Sequence, residues 1–241
     1  MASKIAFAAG SAAIAIIIAL QRRTRNASNT LPSSWKELVS LMGLVPHPEG
    51  GYFFETHRSG SQPMVTRGQT ALDVPPVALA ACGAARAARR GDGDGRRNWL
   101  TSIFWLPTVA SPTLFLAVNL SDHVHYYHGG CAFEYTLVDA TTGALTVRVL
   151  GPDLRAGQVL QLAVAGGTWK AGRLLRGAGD AACDYCLIGE AVAPGFDFHD
   201  FSWVDSAQVR RERPSLWPQL RRFVKDAPED LEGIDAYYGE K

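Results

Sequence analysis

Between Trp99 and Val192 the chain never runs through a strand, a long helix and a second strand. A parallel sheet needs that rhythm, because its neighbouring strands are joined by crossovers that are usually helical. Short apolar runs follow one another instead, over residues 100–106, 113–118, 125–128, 133–139, 144–150, 159–164, 168–171 and 183–192. Turn formers punctuate them. Thr142-Gly143 predicts a hairpin between 133–139 and 144–150, Gly166-Gly167 precedes Thr168, and Pro194-Gly195 follows Val192. This pattern excludes a doubly wound sheet and a TIM barrel, and predicts an all-β antiparallel sandwich or barrel.

The flanks read differently. Ser33 or Ser34 can cap a helix, with Glu37 completing a capping box for Ser34. Trp35, Leu38, Val39 and Met42 make its apolar face, and Gly43 ends it. Pro46-His47-Pro48-Glu49-Gly50-Gly51 is a turn cluster, followed by a strand over 52–58. Residues 83–97, GAARAARRGDGDGRR, form a low-complexity insertion expected to be solvated. After the strands, 205–209 and 216–223 read as helical. Arg210, Arg211, Arg213, Arg221 and Arg222 make that surface basic, and Pro214 and Pro218 interrupt it. The predicted organisation is 1–25, 26–34 as linker, 35–210 as one β domain, and 211–241 as a helical tail.

Residues 5–20 are a run of 16 uncharged residues, preceded by Lys4 and followed by Gln21-Arg22-Arg23-Thr24-Arg25. The expectation is a single N-terminal apolar helix serving as a membrane anchor, with the domain on the cytoplasmic side. A secretory or organelle-targeting segment is the alternative, although Leu-Gln-Arg-Arg is a poor cleavage site. With 24 Lys and Arg against 23 Asp and Glu, the formal charge is +1, which excludes a polyanion binder driven by net charge. No nucleic-acid partner is expected. The four cysteines are too few and too scattered for a disulfide scaffold, and Cys183-Asp184-Tyr185-Cys186 reads as buried structural cysteine.

Metal chemistry requires convergent nitrogens and oxygens. In SDHVHYYHGG, His123 and His125 share one face of a strand while His128 points the other way, and Glu134 lies just beyond. Trp169, after Gly166-Gly167, together with Phe196 and Phe198, predicts an aromatic-lined pocket for a ring-shaped ligand. Nucleotide-binding and serine-hydrolase motifs are absent from the sequence.

Several ordered motifs resemble the DUF985 family of the cupin superfamily. They are Leu44-Val45-Pro46-His47-Pro48-Glu49-Gly50-Gly51-Tyr52-Phe53 with Glu55-Thr56 and Arg58-Ser59, then TSIFWL from Thr101, the 121–130 segment, 151–169, and VAPGFDF from Val192. The resemblance implies a double-stranded β-helix, the cupin jelly roll, often dimeric, with short flanking helices. It also locates departures. Ala117 stands at an early His of the family, His123 at a Glu, His125 at a Trp and Tyr126 at a second His. A divalent metal is then either lost or held by His123 and His125.

Within such a pocket Glu49, or His47 beside it, is a candidate general acid or base, and Tyr126 a proton or hydrogen-bond donor. Tyr52, Glu55, Arg58, Glu134, Trp169, Phe196 and Phe198 are candidate ligand-binding residues. The expected function is binding of a small polar or sugar-like ligand in the barrel pocket, by a homodimer. The alternatives are a sugar or nucleotide-sugar epimerase or isomerase, and a membrane-tethered partner-binding module.

Overall fold

Helix α1, Trp35–Met42, starts where Ser34 accepts a hydrogen bond from the Lys36 amide. It ends at Gly43, whose φ of 63° is left-handed. Both ends match the sequence expectation, and Leu38 is the side chain it buries. The structure is a computed structural model that describes residues 31–59, 65–66, 96–176 and 183–225. The chain divides into Met1–Pro32 and Ser33–Lys241, and the description concerns the second unit.

The strands are β1 (Val45–Pro46), β2 (Tyr52–Arg58), β3 (Val65–Thr66), β4 (Arg96–Arg97), β5 (Thr101–Leu106), β6 (Thr113–Asn119) and β7 (Asp122–Gly130). They continue as β8 (Phe133–Val138), β9 (Leu145–Leu150), β10 (Gln161–Val164), β11 (Trp169–Leu174), β12 (Cys186–Ala193) and β13 (Phe201–Trp203). Helices α2 (Ser206–Glu212) and α3 (Trp217–Leu220) follow. One sheet has the order β1-β2-β5-β12-β7-β10 and the other β13-β6-β11-β8-β9, and their strand pairs are antiparallel throughout. The hairpin expected at Thr142-Gly143 is the β8–β9 pair, closing at Val138 opposite Leu145.

Alternation along each strand sends one set of side chains between the sheets and the other outward. Phe53, Trp105, Phe133, Tyr135, Leu150 and Ile188 form the shared core. On the outer side of the six-stranded sheet, Leu106 and Leu187 pack with Leu38 of α1. On the outer side of the five-stranded sheet, Leu116, Val118 and Trp169 pack with Val209, Leu220 and Phe223 of the C-terminal helices. Pro218 lies in the first turn of α3, where its missing N–H costs nothing, so it starts that helix rather than breaking it.

Four expectations are corrected. Apart from the two-stranded β3–β4 pair, the β-strands form two open, facing sheets and not a closed barrel. Among the described residues no helix is long and apolar enough to cross a membrane, so the membrane partner and the membrane-associated localisation are withdrawn. Residues 5–20 themselves lie outside the described residues. Arg97, assigned to a solvated insertion, is buried, its guanidinium donating to the Asp200 carboxylate at 2.5 and 3.0 Å; residues 83–95 lie outside the described residues. Cys183 is joined to Cys131, with Cα atoms 5.7 Å apart, while Cys186 stays a buried thiol. Cys183 precedes β12, which begins at Cys186, and its sulfur is taken by Cys131.

Candidate functional site

The β1–β2 turn delivers two of the site's side chains. Its path needs glycine. A Cβ on Gly50 would stand 2.0 Å from the Thr113 carbonyl oxygen, and Gly51 has φ 73°. Trp105 Nε1 donates to the Gly50 carbonyl at 2.8 Å, Ser111 Oγ accepts from the Gly51 amide at 2.8 Å, and the Glu49 carbonyl accepts from the Phe115 amide at 2.9 Å. The turn is thus fastened to both sheets. It holds His47 and Glu49 over one end of the space between them, with His47 Nδ1 accepting from the Glu49 amide at 3.2 Å.

The inward faces of β5, β7, β12, β6 and β11 complete the pocket. Thr101, Ile103 and Trp105 come from β5, His123 from β7, Glu190 and Val192 from β12, Leu114 from β6, and Lys170 from β11. Glu55 of β2 and Phe196 close the rim. The space is about 530 Å³, including the part open to solvent at its mouth. Glu55 is oriented by a bidentate pair from Arg58, 3.0 Å from Nε to Oε1 and 2.8 Å from Nη2 to Oε2. Residues three apart on a regular strand face opposite ways. The register shift between Glu55 and His57 supplies the extra residue that brings Arg58 onto the Glu55 side.

His123, His125 and Glu190 form a buried cluster whose potential ligand atoms all lie within 4.8 Å of one another. His123 Nδ1 bonds to Glu190 Oε1, and His125 Nδ1 lies 3.6 Å from Glu190 Oε2 and 3.2 Å from the Tyr135 hydroxyl. Lys170 reaches in from the opposite sheet, placing Nζ 3.3 Å from Glu190 Oε1 and 3.2 Å from His123 Nδ1.

Burial governs the charges. It lowers the His47 ring to about 4 and the His125 ring to about 3, and with Lys170 beside it the His123 ring is lowered too, so all three are neutral at pH 7. The His123–Glu190 contact is therefore an N–H to carboxylate hydrogen bond and not an ion pair. Burial alone would raise Glu190, but the Lys170 ammonium and the hydrogen bond from His123 overcome it and hold the carboxyl well below the usual range. Among the described residues Glu49 forms no ion pair, and burial pushes it up to about 7, against the opposing pull of Lys170.

The donor set fits a divalent metal. The Nε2 atoms of His123 and His125 are buried without a hydrogen-bond partner, and a carboxylate stands beside them. The cluster is compatible with a divalent-metal site.

Of the residues singled out in the sequence, His47, Glu49, Glu55, His123 and Phe196 line one pocket, and His125 stands in the cluster behind it. The others lie elsewhere. Tyr126 alternates with His125 and so takes the outward face of β7, where exposed His128 also lies, edge-on to Phe104. Tyr52 stacks on Trp35 outside the six-stranded sheet. Trp169 packs beneath the C-terminal helices, and it is its neighbour Lys170 that points inward. Glu134 pairs with Arg173 at 2.7 Å on the outer side of β8, and the cluster's carboxylate is Glu190 instead. Phe198 touches Phe196 edge-on, and Arg58 acts through Glu55.

Sequence reasoning passed over Lys170 and Glu190. A signal for both exists: each is the single ionisable group inside a buried run, Lys170 in TWKAG and Glu190 in LIGEAVA. Unpaired charge is too costly to bury, so such a residue announces a partner.

Two facing antiparallel sheets, short flanking helices and a polar pocket with a buried His-His-Glu cluster define a cupin-like protein. The sequence profile described as "Cupin superfamily (DUF985)" matches residues 36–204, and the chain belongs to that family. It is 32% identical over 176 residues to the uncharacterized protein YML079W of Saccharomyces cerevisiae, covering 72% of this chain and 76% of that one. A hypothetical protein from Leishmania major has the same fold, with TM-score 0.62 and 23% identity over 80% of this chain and 99% of its own. Protein SO0799 from Shewanella oneidensis gives TM-score 0.59 and 21% identity, over 80% and 98% respectively.

Proposed function

We propose that this cupin-fold protein binds a small, polar, uncharged ligand of sugar-like character in the pocket between its sheets. The observation that carries this reading is internal charge balance. Glu190 is matched by Lys170, and Glu55 by Arg58. His47 and His123 are neutral, and Glu49 exchanges its proton only near pH 7. Below pH 7, where Glu49 keeps its proton, the pocket therefore offers hydrogen-bonding groups with no unmatched charge for an ionic ligand to meet. Trp105, Leu114, Val192 and Phe196 supply apolar surface of the kind that packs against a ring. His123, His125 and Glu190 are the side chains that would hold a divalent ion were Lys170 displaced from Glu190, and such an ion would supply Lewis-acid polarisation.

The test is native mass spectrometry of the full chain for a retained molecule, followed by calorimetry with neutral monosaccharides and their uronic acid and phosphate counterparts. The neutral member of each set should bind more tightly. Tighter binding of the charged member would overturn the reading.

Epimerase or isomerase chemistry on the same ligand class is a second reading, favoured by one observation. Glu190 raises Glu49 electrostatically, and their surroundings drive the two to opposite protonation behaviour, the arrangement expected of a proton-exchanging pair. On this reading Glu49→Gln abolishes solvent-deuterium incorporation into the bound ligand while leaving its affinity within about threefold. Unchanged incorporation would remove Glu49 from the chemistry.

A further inference from the structure

We infer that Lys170 is the resident cation of the His-His-Glu cluster, so that the intact chain fills with its own ammonium the electrostatic role a divalent metal would otherwise take. The His-His-Glu donors alone suit a metal. Glu190 is the cluster's single anionic donor, and a metal's affinity for the site rests on that charge. Lys170 has already matched it, with Nζ 3.3 Å from Glu190 Oε1 and 3.2 Å from His123 Nδ1. Glu190 is also the only carboxylate Lys170 reaches among the described residues. Lys170 is buried, on a strand of the opposite sheet, with Nζ seated at Glu190.

A divalent ion bound to Glu190 would thus lie within a few ångströms of a fixed positive charge, in surroundings that screen it poorly. The arrangement selects against metal by charge and not by lack of ligands. Removing the lysine leaves a buried carboxylate beside two neutral imidazoles whose Nε2 atoms have no partner. That is a site in need of a cation.

The inference concerns the cluster alone. It shares the Lys170–Glu190 pair with the uncharged-ligand reading, but its readout is metal and not ligand, so the failure of one is distinguishable from the failure of the other. Full-length wild type, Lys170→Met and Lys170→Gln are freed of metal and titrated with Zn²⁺ by calorimetry, and their melting temperatures are recorded with and without the ion. Wild type should show no stoichiometric site and no Zn²⁺-dependent shift. Each variant should bind one equivalent at least about tenfold more tightly than wild type and be restored by Zn²⁺ toward the wild-type melting temperature. Both effects should vanish when Glu190→Gln is added.

One tight equivalent on wild type overturns the inference, and so does a failure of both folded variants to bind. Should neither variant fold, wild-type crystals grown in Zn²⁺ decide. An anomalous peak between His123, His125 and Glu190 overturns it, and Lys170 Nζ seated at Glu190 with no peak supports it.

Discussion

Glu49 and His47 share one turn and one pocket, and burial moves their titrations in opposite directions on the pH scale. Glu49 rises from 4.5 to about 7 because its charged form loses water, with Lys170 drawing it back and Glu190 reinforcing the rise. His47 falls from 6.5 to about 4 for the same reason, with Glu190 opposing and Lys170 assisting. Glu55 and His123 face the same space. The fold favours neutral Glu49, so the stability it contributes is complete below pH 4.5 and is lost as pH rises through 7. By linkage the loss amounts to about 3 kcal/mol. The fold also favours neutral His47, whose contribution is complete above pH 6.5 and is lost as pH falls toward 4. The two slopes run in opposite directions over nearly the same window, pH 4.5 to 6.5, so in urea denaturation they should largely cancel in wild type. Glu49→Gln should remove the falling slope, leaving stability that rises from pH 4 to 6.5, and make the protein more stable than wild type at pH 8. His47→Asn, whose side-chain oxygen can still accept the Glu49 amide, should remove the rising slope and leave stability that falls from pH 4.5 to 7. A profile unchanged by Glu49→Gln would mean that Glu49 ionises like an exposed carboxyl.

At the scale of elements, the site depends on a turn and two irregular strands more than on regular structure. The β1–β2 turn passes the β6 backbone so closely that Gly50→Ala would drive a methyl to within 2.0 Å of the Thr113 carbonyl oxygen. That substitution should cost about 3 kcal/mol or more, because backbone must move. Trp105→Phe loses the bond to the Gly50 carbonyl and part of the indole's core packing, a cost of about 2 kcal/mol. Equilibrium unfolding should rank them in that order, and the reverse order would show that the turn yields freely. Much at this scale was legible beforehand. Ser34 and Gly43 bounded α1, Thr142-Gly143 marked the β8–β9 hairpin, and period-two alternation separated His123 and His125 from His128. The same alternation, followed one strand further, would have turned Trp169 outward and Lys170 inward. An aromatic beside a glycine turn suits an outer packing face as well as a pocket, so its type does not choose the side. The register shift that joins Glu55 to Arg58 left no mark in the sequence, since a bulge is defined by its pairing partner.

At the scale of the molecule, the cluster exists only because strands distant in sequence are brought together. His123 and Glu190 are adjacent because β7 pairs with β12, and Lys170 meets them because the second sheet lies opposite. No local pattern encodes that juxtaposition, which is why the sequence placed Glu134 beside the histidines when the partner is Glu190, 67 residues from His123. The Lys170–Glu190 pair consequently ties one sheet to the other through the pocket floor. Deleting one member strands the other charge in a poorly screened interior, whereas deleting both removes the mismatch. Measured in excess chelator, Lys170→Met should destabilise the fold by about 3–5 kcal/mol, and Glu190→Gln by a similar amount. The double variant should be more stable than the sum of the two losses by about 1–3 kcal/mol. A buried pair worth no more than a surface contact would instead give additive losses, each below about 1 kcal/mol, and Lys170 would then be lying against Glu190 without holding the sheets together.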